Sequence, residues 1–296
     1  MNRIIWKTIG ASVLFCLFAL VFFTIKVVHD TLESRNKIEL GYVEALHVMA
    51  SRNYDSKEEL ALKNQLKQKT SQYIQVFYDP RQQAIASYAM EVLDKARSKN
   101  IHLIGEYPTP PLDLILFQDS KQFYRYAQIR NTNGYYSDLD KIIGILPHDA
   151  HASHSANTQE ELIHYIVMHE YSHYALIQKI QALGIRATIP EWFLEGYAEY
   201  ISFTHSEDVL RSIPPDTVIP FENLEKPQQW KHLRMAGATD IYRQSEEAIS
   251  YIINQYGSES IINILMLAGR SKSFEDALRQ STGLNYDELE EALAAL

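Results

Sequence analysis

Cysteine is almost missing from this chain of 296 residues: its one thiol, Cys16, lies inside an apolar N-terminal segment. Disulfide bridges and thiolate chemistry are thereby excluded for everything downstream. Basic surface is scarce as well, with 28 Lys and Arg against 37 Asp and Glu and a net charge of −9. Nucleic-acid binding draws on clustered Lys and Arg that release counterions, and no such stripe is present. A small-x-small site is also missing after the apolar run, where Val27-Val28-His29 is a poor substitute, so an uncleaved segment is expected over the competing reading of a cleaved signal peptide. Stability must come from packing, for which 46% hydrophobic and 22% charged residues are an ordinary mix, and from any bound metal.

What is present begins with residues 8–25, which carry no charge. Eighteen residues at about 1.5 Å each give about 27 Å of helix, so the expectation is an uncleaved transmembrane anchor. Phe15 before Cys16 is not small, which argues against lipid attachment and leaves the thiol among lipid tails. Arg3 and Lys7 precede the run while Asp30 and Glu33 mix with Arg35 and Lys37 after it, which predicts a cytoplasmic N-terminus and an extracytoplasmic remainder. The expected domains are 1–28 as tip and anchor, 29–70 as a helical stalk with a capping box at Ser56-Lys57-Glu58-Glu59, and 71–296 as the functional domain.

Within 71–296 the apolar spacing predicts an α+β fold. Strands are expected at 73–78, 112–117 and 142–146, helices at 81–98 and 120–129, and a turn at Asn133-Gly134. The strand at 142–146, just before the next helix, is expected at the sheet edge, where an extended peptide can add as one more strand. His148, His151 and His154 follow in a loop with Asp149 and read as a solvated polar segment, with a second metal site as the alternative. Beyond 183 a Pro-rich irregular stretch follows Thr204, and helical spacing predicts a helix led by Ile241; the resemblance described below extends to further helices at Phe274 and Tyr286.

Chemistry concentrates at His169-Glu170-Tyr171-Ser172-His173, the HExxH pattern. Two imidazoles four residues apart share one face of an α-helix and can reach one metal ion, and Glu170 flanks that face as a base for a water. A capping box at Thr158-Gln159-Glu160-Glu161 starts this helix and Gly184 ends it, so the pattern is mid-helix among apolar residues. His164 points elsewhere and reads as structural or exposed. Catalytic zinc needs a third protein ligand and an open fourth position. In the helix after Pro190, Glu195 and Glu199 lie four apart on one face beside Trp192 and Phe193, and Gly196 lets another backbone approach. Two carboxylates on an apolar helix are costly to bury unless they meet a cation or donors.

His169-Glu170-x-x-His173 followed by Trp192-x-x-Glu195-Gly196-x-Ala198-Glu199-Tyr200 resembles the gluzincin metallopeptidases, most closely the peptidase MA-like domains. The resemblance runs from Tyr73 to the C-terminus. It implies a zincin-like domain with subdomains 71–183 and 184–296, zinc held by His169, His173 and Glu195, Glu170 as general base, and Glu199 orienting a ligand imidazole. Tyr242 is the candidate donor to the oxyanion, in the manner of the Tyr or His that gluzincins commonly place opposite the base. Two departures stand: thermolysin-like and aminopeptidase gluzincins usually have a slightly shorter gap before the third ligand, and no GxMEN-type motif precedes the metal helix, which argues against aminopeptidase action. The expected function is membrane-anchored zinc-dependent hydrolysis of peptide or protein substrates, with no nucleic-acid partner. The alternatives are a non-catalytic zinc-stabilised binding or assembly protein, and an amidase acting on cell-wall peptides.

Overall fold

Alternation of apolar side chains sets the sheet at the centre of the fold. In the computed structural model, which describes residues 18–27, 29–30, 41–51, 53–127, 132–147, 158–203, 217–236, 241–271 and 273–296, the chain divides into two compact units, Met1–Leu60 and Ala61–Leu296. The second unit holds a five-stranded sheet of β1 (Lys67–Ser71), β2 (Ile74–Tyr78), β3 (Leu112–Leu116), β4 (Gly134–Ser137) and β5 (Ile142–Ile145) in the order β1-β2-β3-β5-β4. The three inner strands are parallel and the two edge strands antiparallel to their neighbours. Odd and even positions part to opposite faces, as a period of two requires. Val76, Leu114, Ile143 and Ile145 enter the main core, whereas Phe77, Ile115, Ile142 and Leu146 join Phe117 and Phe123 in a smaller core on the other face.

Numbered in chain order among the elements with described bounds, the helices are α1 (Tyr42–Ser51), α2 (Lys57–Lys63), α3 (Gln83–Ile104), α4 (Ser120–Ala127), α5 (Gln159–Ala182), α6 (Glu191–Ser202), α7 (Pro227–Ala236), α8 (Ile241–Tyr256), α9 (Glu259–Ala268), α10 (Phe274–Thr282) and α11 (Tyr286–Ala294). Helix α5 packs on α3 and α6 and meets β4 and β5, while α6 packs on α8. Thirteen of its residues are buried, from Leu162 to Gln178, so the HExxH turn lies in the interior of the fold. The unit is α+β, with a small mixed sheet and a helical C-terminal part.

Four expectations are corrected. No helix among the described residues is long and apolar enough to cross a membrane. Residues 1–17 lie outside the described residues, and the helical stretch at 18–27 covers about 15 Å, half of the ~30 Å a bilayer core demands. The transmembrane helix is accordingly withdrawn from the architecture. The helical stalk expected to 70 gives way at Lys67–Ser71 to strand β1, whose polar sequence hid it because an edge strand needs few apolar residues. Gly134 opens strand β4 instead of a turn, which moves β5 inward and makes β4 the edge beside α5. Part of the Pro-rich stretch is helix α7, with Pro227 at its first position, where the missing N–H costs nothing. The loop carrying His148, His151 and His154 lies outside the described residues.

Candidate metal centre

Two helix starts fix the site. Thr158 caps α5 reciprocally with Glu161, the Glu161 N–H donating to Thr158 Oγ1 at 3.1 Å and the Thr158 N–H to Glu161 Oε2 at 3.0 Å. Such a cap contributes about 1 kcal/mol and sets where the helical register begins. Helix α6 starts after Pro190 and is held at its first residue by the Glu191 N–H donating to the Glu225 carbonyl at 3.0 Å. Its Trp192 and Phe193 anchor the side away from α5, their rings lying 4.5 Å from Phe221 and 4.9 Å from Phe274 respectively.

These supports bring His169, His173 and Glu195 into one group able to hold a metal ion. The two Nε2 atoms are 3.1 Å apart, and Glu195 Oε2 lies 3.4 Å from that of His169 and 3.6 Å from that of His173. Burial alone would raise Glu195, but the charges and hydrogen bonds of His173 and His169 hold it well below the usual carboxylate range. His169 responds in the opposite sense: burial lowers it, and the hydrogen bond to Glu195 with the charges of Glu199, Glu170 and Glu195 outweighs this, lifting its pKa to about 9. Three acidic side chains thus converge on two imidazoles, and the pocket favours positive charge.

Behind His169 stands Glu199, 1% exposed, with Oε1 3.4 Å from Nδ1 of His169. The same oxygen accepts from the Tyr165 hydroxyl at 2.6 Å. A carboxylate at the far nitrogen fixes the ring's tautomer and leaves Nε2 to face the ligand. Tyr165 was not singled out in the sequence, although it lies four residues before His169 and so on the same helix face.

Glu170 faces strand β4. Leu146 N–H donates to the Asn133 carbonyl at 2.8 Å, so alternation along the antiparallel pair turns the backbone groups of Gly134 and Tyr136 away from β5. The Tyr136 N–H accordingly reaches the Glu170 carboxylate. Burial is the main influence on that carboxylate and raises its pKa, against the lowering pull of His169 and His173. Gly134 permits the approach, because a Cβ there would lie 2.4 Å from Ile166 Cγ2 and 2.8 Å from Glu170 Oε1. The hairpin is clamped at its turn by Asp138, which accepts from Gln178 at 3.1 Å and Gln181 at 2.9 Å on α5 and from Lys141 at 2.7 Å.

Tyr242, on α8, packs its ring edge-on to Trp230 at 5.2 Å and lies within the field of Glu195. Burial first and Glu195 second keep its phenol protonated, against the opposing pull of Arg234 and Trp230. His164 is half-buried on α5 toward Lys95 and Lys99, outside the metal group. The glycine expected to admit a second backbone does so: a Cβ on Gly196 would sit 2.3 Å from the Ser245 carbonyl oxygen of α8. No described side chain forms an ion pair with Glu191, one turn before Glu195, and burial with the Glu195 charge raises its pKa to about 7.

No family model matches the chain. It is similar to the uncharacterized protein YhcO of Bacillus subtilis (strain 168), with 26% identity over 227 residues that span 76% of this chain and 70% of that protein.

Proposed function

We propose that the protein is a zinc-dependent, gluzincin-type peptidase. The observation that carries this reading is the donor triangle of 3.1, 3.4 and 3.6 Å between His169, His173 and Glu195. Ligands of a tetrahedral ion at about 2.1 Å lie about 3.4 Å from one another, so the three atoms match one face of a zinc tetrahedron, and among the described residues no fourth donor joins them. A zinc ion held there supplies Lewis acidity toward a water and a carbonyl oxygen. Glu170 takes the water's proton as the oxygen bonds to the carbonyl carbon, and returns it to the amine nitrogen as the C–N bond breaks. Tyr242 donates its hydroxyl to the oxygen on which charge gathers, and Glu199 keeps His169 oriented.

Purified protein loaded with zinc should hold one equivalent and cut members of a peptide library, and chelation should abolish cleavage until zinc is restored. One equivalent of zinc with no cleavage of any member would leave only a non-catalytic metal protein.

Proton competition gives an independent check. Zinc must displace the proton that His169 carries below about pH 9 in the metal-free state. Apparent zinc affinity should therefore rise about tenfold per pH unit from 7 toward 9 and flatten above, with about one proton released in calorimetry across buffers of different ionisation enthalpy. In metal-free protein the same raised value adds stability that is complete below the unfolded value of about 6.5 and is lost as pH climbs through 9. An affinity flat over this range would show that the site takes up metal without giving up a proton.

A further inference from the structure

The three ligands come from two helices, so something must hold α5 and α6 at one separation to within a few tenths of an ångström. We infer that Asn100 of α3 is a positioning residue for the metal centre, an inference that rests on metal being held by His169, His173 and Glu195. Asn100 is fully buried where α3 meets both ligand helices. Its Nδ2 donates to the Ala96 carbonyl of its own helix at 2.8 Å and to Ser172 Oγ of α5 at 3.1 Å. Its Oδ1 accepts from the Tyr197 hydroxyl of α6 at 2.7 Å. Ser172 is fully buried too and passes its own proton to the Met168 carbonyl at 2.7 Å.

Each polar atom in this chain of contacts has its partner, and each link bears on a ligand. Ser172 immediately precedes His173, and Tyr197 lies two residues after Glu195. One planar amide thus spans from the helix with both imidazoles to the helix with the carboxylate, and its carbonyl and amino ends are not interchangeable. The fixed 120° geometry of the amide defines the separation and the roll of α5 against α6 in a way that apolar contact alone does not. An apolar residue of similar volume would leave the Tyr197 hydroxyl and Ser172 Oγ without this partner in a dry interior, at a cost that shifting either helix can relieve. Such a shift moves Glu195 relative to the two Nε2 atoms.

The test compares zinc affinity with fold stability in Asn100→Leu, Tyr197→Phe and Val92→Ala, the last removing buried apolar volume from the same helix without touching a polar link. Affinity is read by chelator competition. The cobalt-loaded protein gives coordination geometry from its visible absorption. Expected are about tenfold weaker zinc binding in Asn100→Leu and about threefold in Tyr197→Phe, within the range exerted by residues that touch neither ligand, with an altered cobalt spectrum. Val92→Ala should lose stability and keep both wild-type zinc affinity and spectrum. Tyr197→Phe removes one oxygen and keeps the question open to measurement if Asn100→Leu does not fold. Wild-type affinity and spectrum in Tyr197→Phe, or equal losses in Val92→Ala, would overturn the positioning role. Failure of the wild-type protein to bind zinc would instead overturn the metal reading on which it rests.

Discussion

Glu170→Gln is expected to bind zinc as the unaltered protein does while its kcat falls by between about a hundredfold and ten-thousandfold, the usual share of a general base. The substitution keeps the side chain's volume and its acceptor oxygen, so the Tyr136 N–H retains a partner and strand β4 keeps its place against α5. What disappears is the ability to take a proton from water and carry it to the leaving nitrogen. None of the three candidate metal donors is altered, which separates this outcome from loss of the ion. Metal content, melting temperature and turnover of one cleaved peptide, measured on the same preparation, check it together. Full turnover by the variant would rule Glu170 out as the base.

The second large effect is structural and is felt at the site. A Cβ on residue 196 would stand 2.3 Å from the Ser245 carbonyl oxygen, 2.6 Å from the Ser245 carbonyl carbon and 3.0 Å from Ser245 Cβ. Two of these three are backbone atoms of α8 that cannot rotate aside, so Gly196→Ala must push the helices apart. Alanine's better helix propensity returns about 1 kcal/mol, whereas forcing one extra carbon into a filled interface costs about 3 kcal/mol or more. Overpacking therefore wins, and the expected fall in melting temperature is roughly 4–8 °C for a unit of this size after the propensity gain. Glu195 is the preceding residue, so displaced α6 also carries its carboxylate away from His169 and His173, and on the proposed function zinc affinity should fall with stability. A variant that melts and binds like the parent would mean that α8 yields at no cost.

Much of this was legible because the local signals agreed with one another. Thr158 and Glu161 announce the start of α5, the apolar residues around His169 and His173 place both rings mid-helix, and Pro190 announces α6. Glu195 and Glu199 stand out because carboxylates on an apolar helix face require a partner. Hidden features had no residue-type signature. The Tyr136 N–H belongs to the backbone, and β1 is a polar strand, Lys-Gln-Lys-Thr-Ser, that becomes a strand only because β2 is beside it. Gly134 carries the usual marks of a turn, and only the nearness of Ile166 and Glu170 reveals why a side chain is barred there. The Asn100 bridge spans residues 72 and 97 positions away in sequence, beyond any periodic pattern.

The two borders of the sheet resist self-association by different means. On the β1 side, Lys67 is exposed and Lys69 is engaged with Ser87, and a row of lysines discourages another molecule from adding its own strand. The β4 side has its outward N–H groups engaged already, that of Gly134 with the Thr132 hydroxyl and that of Tyr136 with Glu170. It is only four residues long, its turn is clamped to α5, and its outward Gly134 carbonyl already accepts from the Thr132 hydroxyl at 2.7 Å. So short and so engaged a ledge leaves too few backbone groups for molecules to stack edge to edge into fibres.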